Sequence, residues 1–546
     1  MKNFKTCVKG LRGFIKPVRG RILVSCLIGV ARIAASMAFV WICKRLVDIA
    51  TGVTDAPLGQ HVAIMCGIML AQVITSVAFN YWEGLITVRT QNSFRADTFA
   101  HVINSRWDGR EAFHSGDTVN RLEEDIRVVV DLICTNLPDF IITICQLIAA
   151  STFLLFLEPQ LLWVLLIIMP VAILGSKMFF RKMRALTEHI RKRDSDVQQL
   201  MQENLQNRIL IKTLGRAERL FDRLGWLQQD IEDSTVKRLN YNAVARTFMR
   251  FGFTAGYASA FLWGIFGIRN GAVTYGMMTA FLQLVGQVQG PIANISRHIP
   301  AFIHSLTSVE RLMELNELPL ENEEKPVILE GAPGIKVEHL TFAYADAQPG
   351  TEPVLKDFSH DFAPGSVTAI MGVTGAGKST LTKLIMALLE PSQGCVTLYS
   401  TDKCVESRNG TRGNFMYVPQ GNSLMSGTVR ENLLLACPDA TEEQMHEALH
   451  LAVADFILEM PQGLDTSCSE RGSGLSEGQA QRIAIARALL HTGGILILDE
   501  ATSALDADTE RLLLERLSEH FHGSKTIIWI THRDSITHFA GSILKI

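Results

Sequence analysis

Six apolar stretches, at about residues 22–47, 61–87, 133–157, 160–179, 247–268 and 277–300, set the strongest limit on how this chain can fold. Each is near the roughly 20 residues that a helix needs to cross a bilayer core. The chain has 546 residues, 47% of them hydrophobic, and its mean hydropathy is +0.18. That is too apolar for an ordinary soluble protein of this size, so a membrane portion is expected. The basic residues give an independent test, because cytoplasmic loops carry an excess of Lys and Arg. Seven of them, from Lys2 to Arg21, precede the first stretch, and TGVTDAPLGQ after it has none. Arg89, Arg95, Arg106, Arg110, Arg121 and Arg127 come before the third stretch, and only Glu158-Pro159-Gln160 follows it. Residues 181–246 are densely basic, whereas Arg269 stands alone between stretches five and six. Six spans with both termini on the cytoplasmic side are therefore expected.

The two long basic loops keep helical periodicity, with Leu122, Ile126 and Val129 in one and Leu205, Ile209, Leu210 and Leu214 in the other. They are expected to be helices that continue below the membrane, mostly as solvated stalks. Their tips, around Arg106 to Gly116 and Arg208 to Arg216, are the places where contact with a cytoplasmic domain would be made. Ionisable groups inside the spans are few and costly. Arg32 and Glu83 admit a direct pair, but each can also face an aqueous cavity or snorkel. Gln283, Gln287 and Asn294 share one face of span six, and Thr143 and Gln146 lie in span three; interhelical hydrogen bonds and a solute-facing surface both account for such stripes.

Composition excludes some classes. A formal charge of −3 and a pI near 6.6 offer no global basic surface for nucleic acid. Ten cysteines, without a Cys-x-x-Cys pair, fit reduced cytosolic or membrane-buried thiols better than a disulfide framework. The basic N-terminus lacks the small-residue site of a cleaved secretory signal, while an organellar targeting peptide stays open.

Composition shifts at 316–334, an acidic, Pro-containing linker, and separates a membrane domain at 1–315 from a second domain at 335–546. There, GVTGAGKST, Gly372 to Thr380, follows the apolar run Val367 to Met371 and opens a helical pattern. Gly-x4-Gly-Lys-Ser is the spacing of a phosphate-binding loop. Gly372, Gly375 and Gly377 let the backbone turn tightly and aim its N–H groups at phosphate oxygens. Lys378 adds a charge near the outer phosphates, and the Ser379 hydroxyl can ligate Mg²⁺. This loop implies only that a nucleoside triphosphate binds.

Further motifs resemble those of the ATP-binding-cassette (ABC) family. They run from Phe342-Ala343-Tyr344 through the phosphate loop to Tyr417-Val418-Pro419-Gln420, then Glu470-Arg471-Gly472, Leu475-Ser476-Glu477-Gly478-Gln479, Asp499-Glu500, Ala501 to Asp506 and His532. The resemblance implies that Tyr344 stacks on adenine, that Gln420 reaches Mg²⁺ and the attacking water, and that Asp499 holds Mg²⁺ while Glu500 acts as general base. It implies as well that Asp506 belongs to the D-loop and that His532 is the switch histidine. Ser476, Gly478 and Gln479 would face phosphate from the signature, where Ser476 and Gln479 also have capping-box spacing. Glu477 departs from the usual Gly and is expected to point outward. The chain ends at Ile546, where family members usually continue into further C-terminal helices.

In the membrane half, SGDTVNRLEEDI and the loop around Lys212 to Glu218 resemble exporter-type half-transporters more loosely. The expected architecture is an α-helical six-span transmembrane domain plus an α/β P-loop ATPase (ABC) domain. One cassette with six spans implies a second chain, a homodimer being favoured by the intact catalytic positions and a heterodimer with a degenerate partner fitting equally from this side. The resemblance implies ATP-driven export of a hydrophobic or amphipathic solute across a membrane, with ATP and Mg²⁺ as cofactors and membrane lipids as neighbours, the ATPase domain being cytoplasmic in a bacterial inner membrane. The alternatives are an ATP-gated channel or regulator, an importer built on the exporter fold, and a soluble cassette ATPase, which would have no six-span domain.

Overall fold

The computed structural model describes residues 4–107, 115–215, 217–344, 352–373, 375–468, 474–533, 536 and 539–546. Two compact units emerge, one made of Met1–Ala100 and Val119–Glu317, the other of His101–Thr118 and Leu318–Ile546.

The first is helical. Its elements are α1 (Phe4–Ile15), α2 (Arg19–Ala50), α3 (Leu58–Ile103), α4 (Ser115–Asn120), α5 (Ile126–Asp131), α6 (Leu137–Leu157), α7 (Pro159–Lys177), α8 (Phe180–Gln206), α9 (Arg208–Leu214), α10 (Ala217–Arg269) and α11 (Tyr275–Asn316), the last few residues of α3 and the first few of α4 belonging to the other unit. A helix satisfies all its backbone hydrogen bonds internally, which is why apolar runs take this form in lipid. Among the described residues, five helical segments are long and apolar enough to cross a membrane: 9–50, 58–103, 116–157, 159–177 and 217–269. The sixth expected span lies in α11, which is helical but falls outside that set. Gln283, Gln287 and Gln289 dilute its apolar character.

Small residues let these helices approach. Gly252, Gly256, Ala260 and Gly264 form a buried stripe along α10, one every four residues. A Cβ at Gly252 would overlap Ala172 of α7, and one at Gly256 would overlap Gln289 of α11. This is the close backbone packing that small residues permit inside membranes. The segment SGDTVNRLEEDI is explained by its grip on α11: it contains a π-helical turn, Arg121–Asp125, whose buried Arg121 pairs with Glu314 at 2.8 Å while Asp125 pairs with Arg311 at 3.3 Å.

The second unit is α/β. Its strands are β1 (Gly334–Phe342), β2 (Leu355–Phe362), β3 (Val367–Met371), β4 (Gln393–Tyr399), β5 (Cys404–Glu406), β6 (Phe415–Val418), β7 (Gly427–Thr428), β8 (Ser467–Cys468), β9 (Ile495–Asp499), β10 (Thr526–Ile530) and β11 (Ser542–Lys545). The helices are α12 (Lys378–Ile385), α13 (Val429–Leu434), α14 (Glu442–Leu451), α15 (Phe456–Glu459), α16 (Glu477–Leu489) and α17 (Ala507–Phe521). The central sheet is parallel in the order β11-β3-β10-β9-β6, beside an antiparallel sheet, β2-β1-β4-β5. Every residue of β9 and β10 is buried, as expected for parallel strands covered on both faces.

His101–Trp107 belongs to this α/β unit. The Arg106 N–H donates to Pro319 O at 2.8 Å, and its guanidinium pairs with Glu390 at 2.8 Å. Lys383 of α12 lies 4.9 Å above the Trp107 ring. One of the two tips expected to touch a cytoplasmic domain thus packs on the helix that starts at the phosphate loop; Arg110 lies outside the described residues. At the other tip Ile209, Leu210 and Leu214 are exposed, and Arg216 lies outside the described residues.

Candidate functional site

Parallel strands deliver side chains to one edge of their sheet, and ligands bind in the crevice beyond the carboxyl ends of such strands. Here the ends of β3, β6, β9 and β10 carry the loop 372–380, Gln420, Asp499 with Glu500, and His532. The loop turns through Gly375 and Gly377, at φ +90° and +95°, conformations that side chains resist, and then enters α12. Lys378 is 5% exposed and folds back on its own loop, donating to the carbonyl oxygens of Gly372 at 2.8 Å and Val373 at 3.0 Å. Beside it, the Ser379 hydroxyl donates to Asp499 Oδ1 at 3.3 Å.

Glu500 is held from two sides. Gln420 Nε2 donates to its Oε2 at 2.6 Å, and His532 Nε2 lies 2.9 Å from its Oε1. The same imidazole nitrogen is 3.2 Å from Lys378 Nζ, so its tautomer decides whether it donates to the carboxylate or accepts from the ammonium. The Glu500 backbone sits at φ +49°, a left-handed conformation that costs a non-glycine residue on the order of 1–3 kcal/mol and that concentrates at functional sites. Asp499 is buried. Burial pushes its carboxyl above the usual range, opposed by the hydrogen bond from Ser379.

Tyr344 turns its ring edge to Phe342, centroids 5.0 Å apart, and its hydroxyl lies 3.0 Å from Thr380 Oγ1. Ser476 and Gln479 form the expected capping box on α16: the Gln479 N–H donates to Ser476 Oγ at 3.2 Å, and the Ser476 N–H to Gln479 Oε1 at 2.9 Å. Gly478 packs on Ala504 O, where a Cβ would come within 2.7 Å, and Glu477 is exposed. Asp506 caps α17 by accepting from the Thr509 N–H at 2.9 Å and the Thr509 hydroxyl at 2.8 Å, which together hold its carboxyl below the usual range. Among the described residues, no hydrogen bond or ion pair joins Ser476–Gln479 to the phosphate loop; Glu470, Arg471 and Gly472 lie outside them.

Sequence reasoning missed two groups. The Tyr417 hydroxyl bonds to Asp499, and burial first, then the neighbouring carboxylate, pushes its pKa up. Its only sequence signal is a polar aromatic at the end of a strand bound for the site. Arg533 reaches from the residue after His532 to the carbonyls of Ser503 and Leu505, both at 2.9 Å, and buried Gln481 of α16 joins the same turn through Ser503 at 3.1 Å. α16, the turn at Ser503–Leu505 and the segment after β10 are thus one hydrogen-bonded assembly.

A helical membrane half followed by a P-loop nucleotide-binding half of this geometry defines an ATP-powered membrane protein. Residues 22–292 match the ABC transporter transmembrane region, and residues 355–503 match the ABC transporter domain. The chain belongs to the ABC transporter family, and its second half is an ATPase. It is 27% identical over 539 residues to YgaD of Bacillus subtilis strain 168, named as a multidrug export ATP-binding/permease protein, covering 96% of this chain and 92% of that one. A protein of the same designation from Staphylococcus aureus strain NCTC 8325 is 28% identical over 545 residues, covering 97% of this chain and 93% of the other. The fold is shared with a bacterial Atm1-family ABC exporter solved with ATP bound, at TM-score 0.77 and 22% identity, covering 97% of this chain and 93% of that one.

Proposed function

We propose that this chain is one half of an ATP-driven exporter that moves an amphipathic solute across a bacterial inner membrane by alternating access. The observation that carries it is the clamp on Glu500 by Gln420 and His532, beside Lys378 and on the same chain as a helical membrane half. Glu500 is placed to take the proton of an attacking water, which Gln420 helps to orient and His532 links to the outer phosphate. ATP would displace the Lys378 ammonium from the Gly372 and Val373 carbonyls and accept from the loop N–H groups, while Tyr344 supports the adenine. Ser379 and Asp499, hard oxygen donors 3.3 Å apart with Gln420 nearby, fit Mg²⁺. When bound, that ion neutralises charge developing on the phosphates.

Among the described residues, Ser476, Gly478, Gln479 and Asp506 make no bond to their own phosphate loop, which supports a composite site completed by a second chain. The exposed apolar tip Ile209, Leu210 and Leu214 gives that chain a surface to hold. Intact catalytic groups favour two identical copies. Contact of His101–Trp107 with α12 supports transmission of nucleotide state toward the spans, with both termini and the ATPase half in the cytoplasm. The proposal is tested in inside-out proteoliposomes: ATP-dependent accumulation of a lipophilic probe, abolished by Glu500→Gln, is the expected outcome. Passive equilibration gated by ATP would make the chain a channel instead.

A further inference from the structure

The membrane half contains a cavity of about 380 Å³ whose walls come from α2, from α6 with Asn136 just before it, and from α11. Arg32 contributes from the first, Asp139, Thr143 and Gln146 from the second, and His298 from the third. Pockets of about 300–1,000 Å³ that take drug-sized ligands are mostly apolar, with a few polar groups fixing orientation. Here the proportion is inverted, because seven of the eight lining residues are polar and Ile142 is the exception. A purely hydrophobic solute would offer no charge-assisted hydrogen bond to Arg32 or Asp139.

Charge inside a membrane is costly and faces the bundle interior or a water-filled space. Asp139 interacts electrostatically with His298 and Arg32, yet among the described residues it forms no direct ion pair with either. The Arg32 guanidinium instead lies 4.7 Å above the Phe79 ring, and the His298 ring meets Phe140 edge-on at 5.9 Å. Arg32 and His298 are thus each held against an aromatic ring, while Asp139 lines the same cavity. The walls are tied together by amides: Gln146 Nε2 donates to Gln287 Oε1 at 3.3 Å, and Gln287 Nε2 donates to Ser36 Oγ at 2.7 Å. A site held open in this way loses little freedom when a ligand enters.

We propose that this cavity binds a small zwitterionic solute of amino-acid or short-peptide character, its carboxylate on Arg32 and its ammonium on Asp139. The proposal rests on the export reading and narrows its substrate class. A guanidinium recognises a carboxylate through paired, charge-assisted hydrogen bonds, and Asp139 accepts from an ammonium in the same way. Thr143 and Gln146 serve the peptide groups between the two ends.

The test uses the full-length protein in inside-out proteoliposomes with five labelled probes: the tripeptide Ala-Leu-Ala, the same peptide only N-acetylated, only C-amidated, and capped at both ends, and tetraphenylphosphonium. ATP-dependent accumulation of the free peptide about tenfold above the doubly capped one is expected. Arg32→Gln should erase the preference for a free carboxylate over a C-amidated end, which Arg32→Lys should keep, and Asp139→Asn the preference for a free amine over an acetylated one. Each preference is a ratio between two probes on one variant, so a smaller folded fraction does not mimic its loss. Equal accumulation of free and capped peptides, or ratios unchanged in both neutral variants, overturns the proposal. Accumulation of tetraphenylphosphonium without the tripeptide overturns it too, while export stands. No ATP-dependent accumulation of any probe overturns both.

Discussion

The nucleotide centre and the membrane cavity gather polar side chains by different means. In the first, four parallel strands in fixed register bring Lys378, Gln420, Asp499, Glu500 and His532 to one edge, with Ile530 opposite Ile370 on one side and Asp499 on the other. Backbone hydrogen bonds set those positions to fractions of an ångström. In the second, residues from three helices meet through packing and two amide hydrogen bonds. A sheet edge is stiff and suits chemistry, whereas a helical wall can slide and suits a site that must change its access.

The largest test of this contrast is Glu500→Gln. Hydrolysis should fall by about 10²–10⁴, the range a positioned base contributes, while ATP binding measured with a fluorescent analogue persists. Turnover near that of the unmodified protein would remove Glu500 from the role of base. Second in size is Gly256→Leu. Its side chain must displace Gln289 from between α10 and α11, and overpacking of this kind costs about 1–3 kcal/mol. Thermal unfolding in detergent should show the membrane transition shifted downward and the ATPase transition unchanged; a shift in both would mean that the halves are not independent in stability.

A smaller effect is expected from Tyr417→Phe. Losing the hydroxyl that steadies Asp499 removes about 1 kcal/mol of hydrogen bonding, so half-maximal activation should need about fivefold more Mg²⁺. An unchanged Mg²⁺ profile would reduce Tyr417 to packing. Ser36→Ala is the mildest. It ends the amide chain from Gln146 at a bond worth about 0.6 kcal/mol in membranes, and the melting temperature of the membrane half should fall only slightly. A large fall would show the wall to be stiffer than its bonds imply.

Legibility in sequence follows the same division. The phosphate loop, the capping box at Ser476 and Gln479, and the buried strands were readable because each is local: a turn, a helix start, a run of apolar residues. The apolar run Val367 to Met371 has the same limits in sequence and as strand β3. The clamp on Glu500 was not readable as geometry, since Gln420 and His532 stand 80 and 32 residues from it. Its left-handed backbone has no sequence signal at all, because Glu is not a residue that prefers φ above zero. In the membrane half, the sequence admits a direct pair of Arg32 and Glu83, but they form no ion pair among the described residues and Arg32 lies on Phe79. Asp139 and His298 went unnoticed, since hydropathy marks a span without saying which residues of other spans it will meet.

By itself, the sequence determined that the chain has membrane-crossing helices and a nucleotide loop, because hydrophobic length and glycine spacing act over one element. Only the tertiary structure decided that Glu500 is the clamped carboxylate, that Tyr417 steadies Asp499 beside it, and that an arginine and an aspartate line one polar cavity. Such pairings depend on strand register and helix packing, and these are set by contacts between residues far apart in the chain.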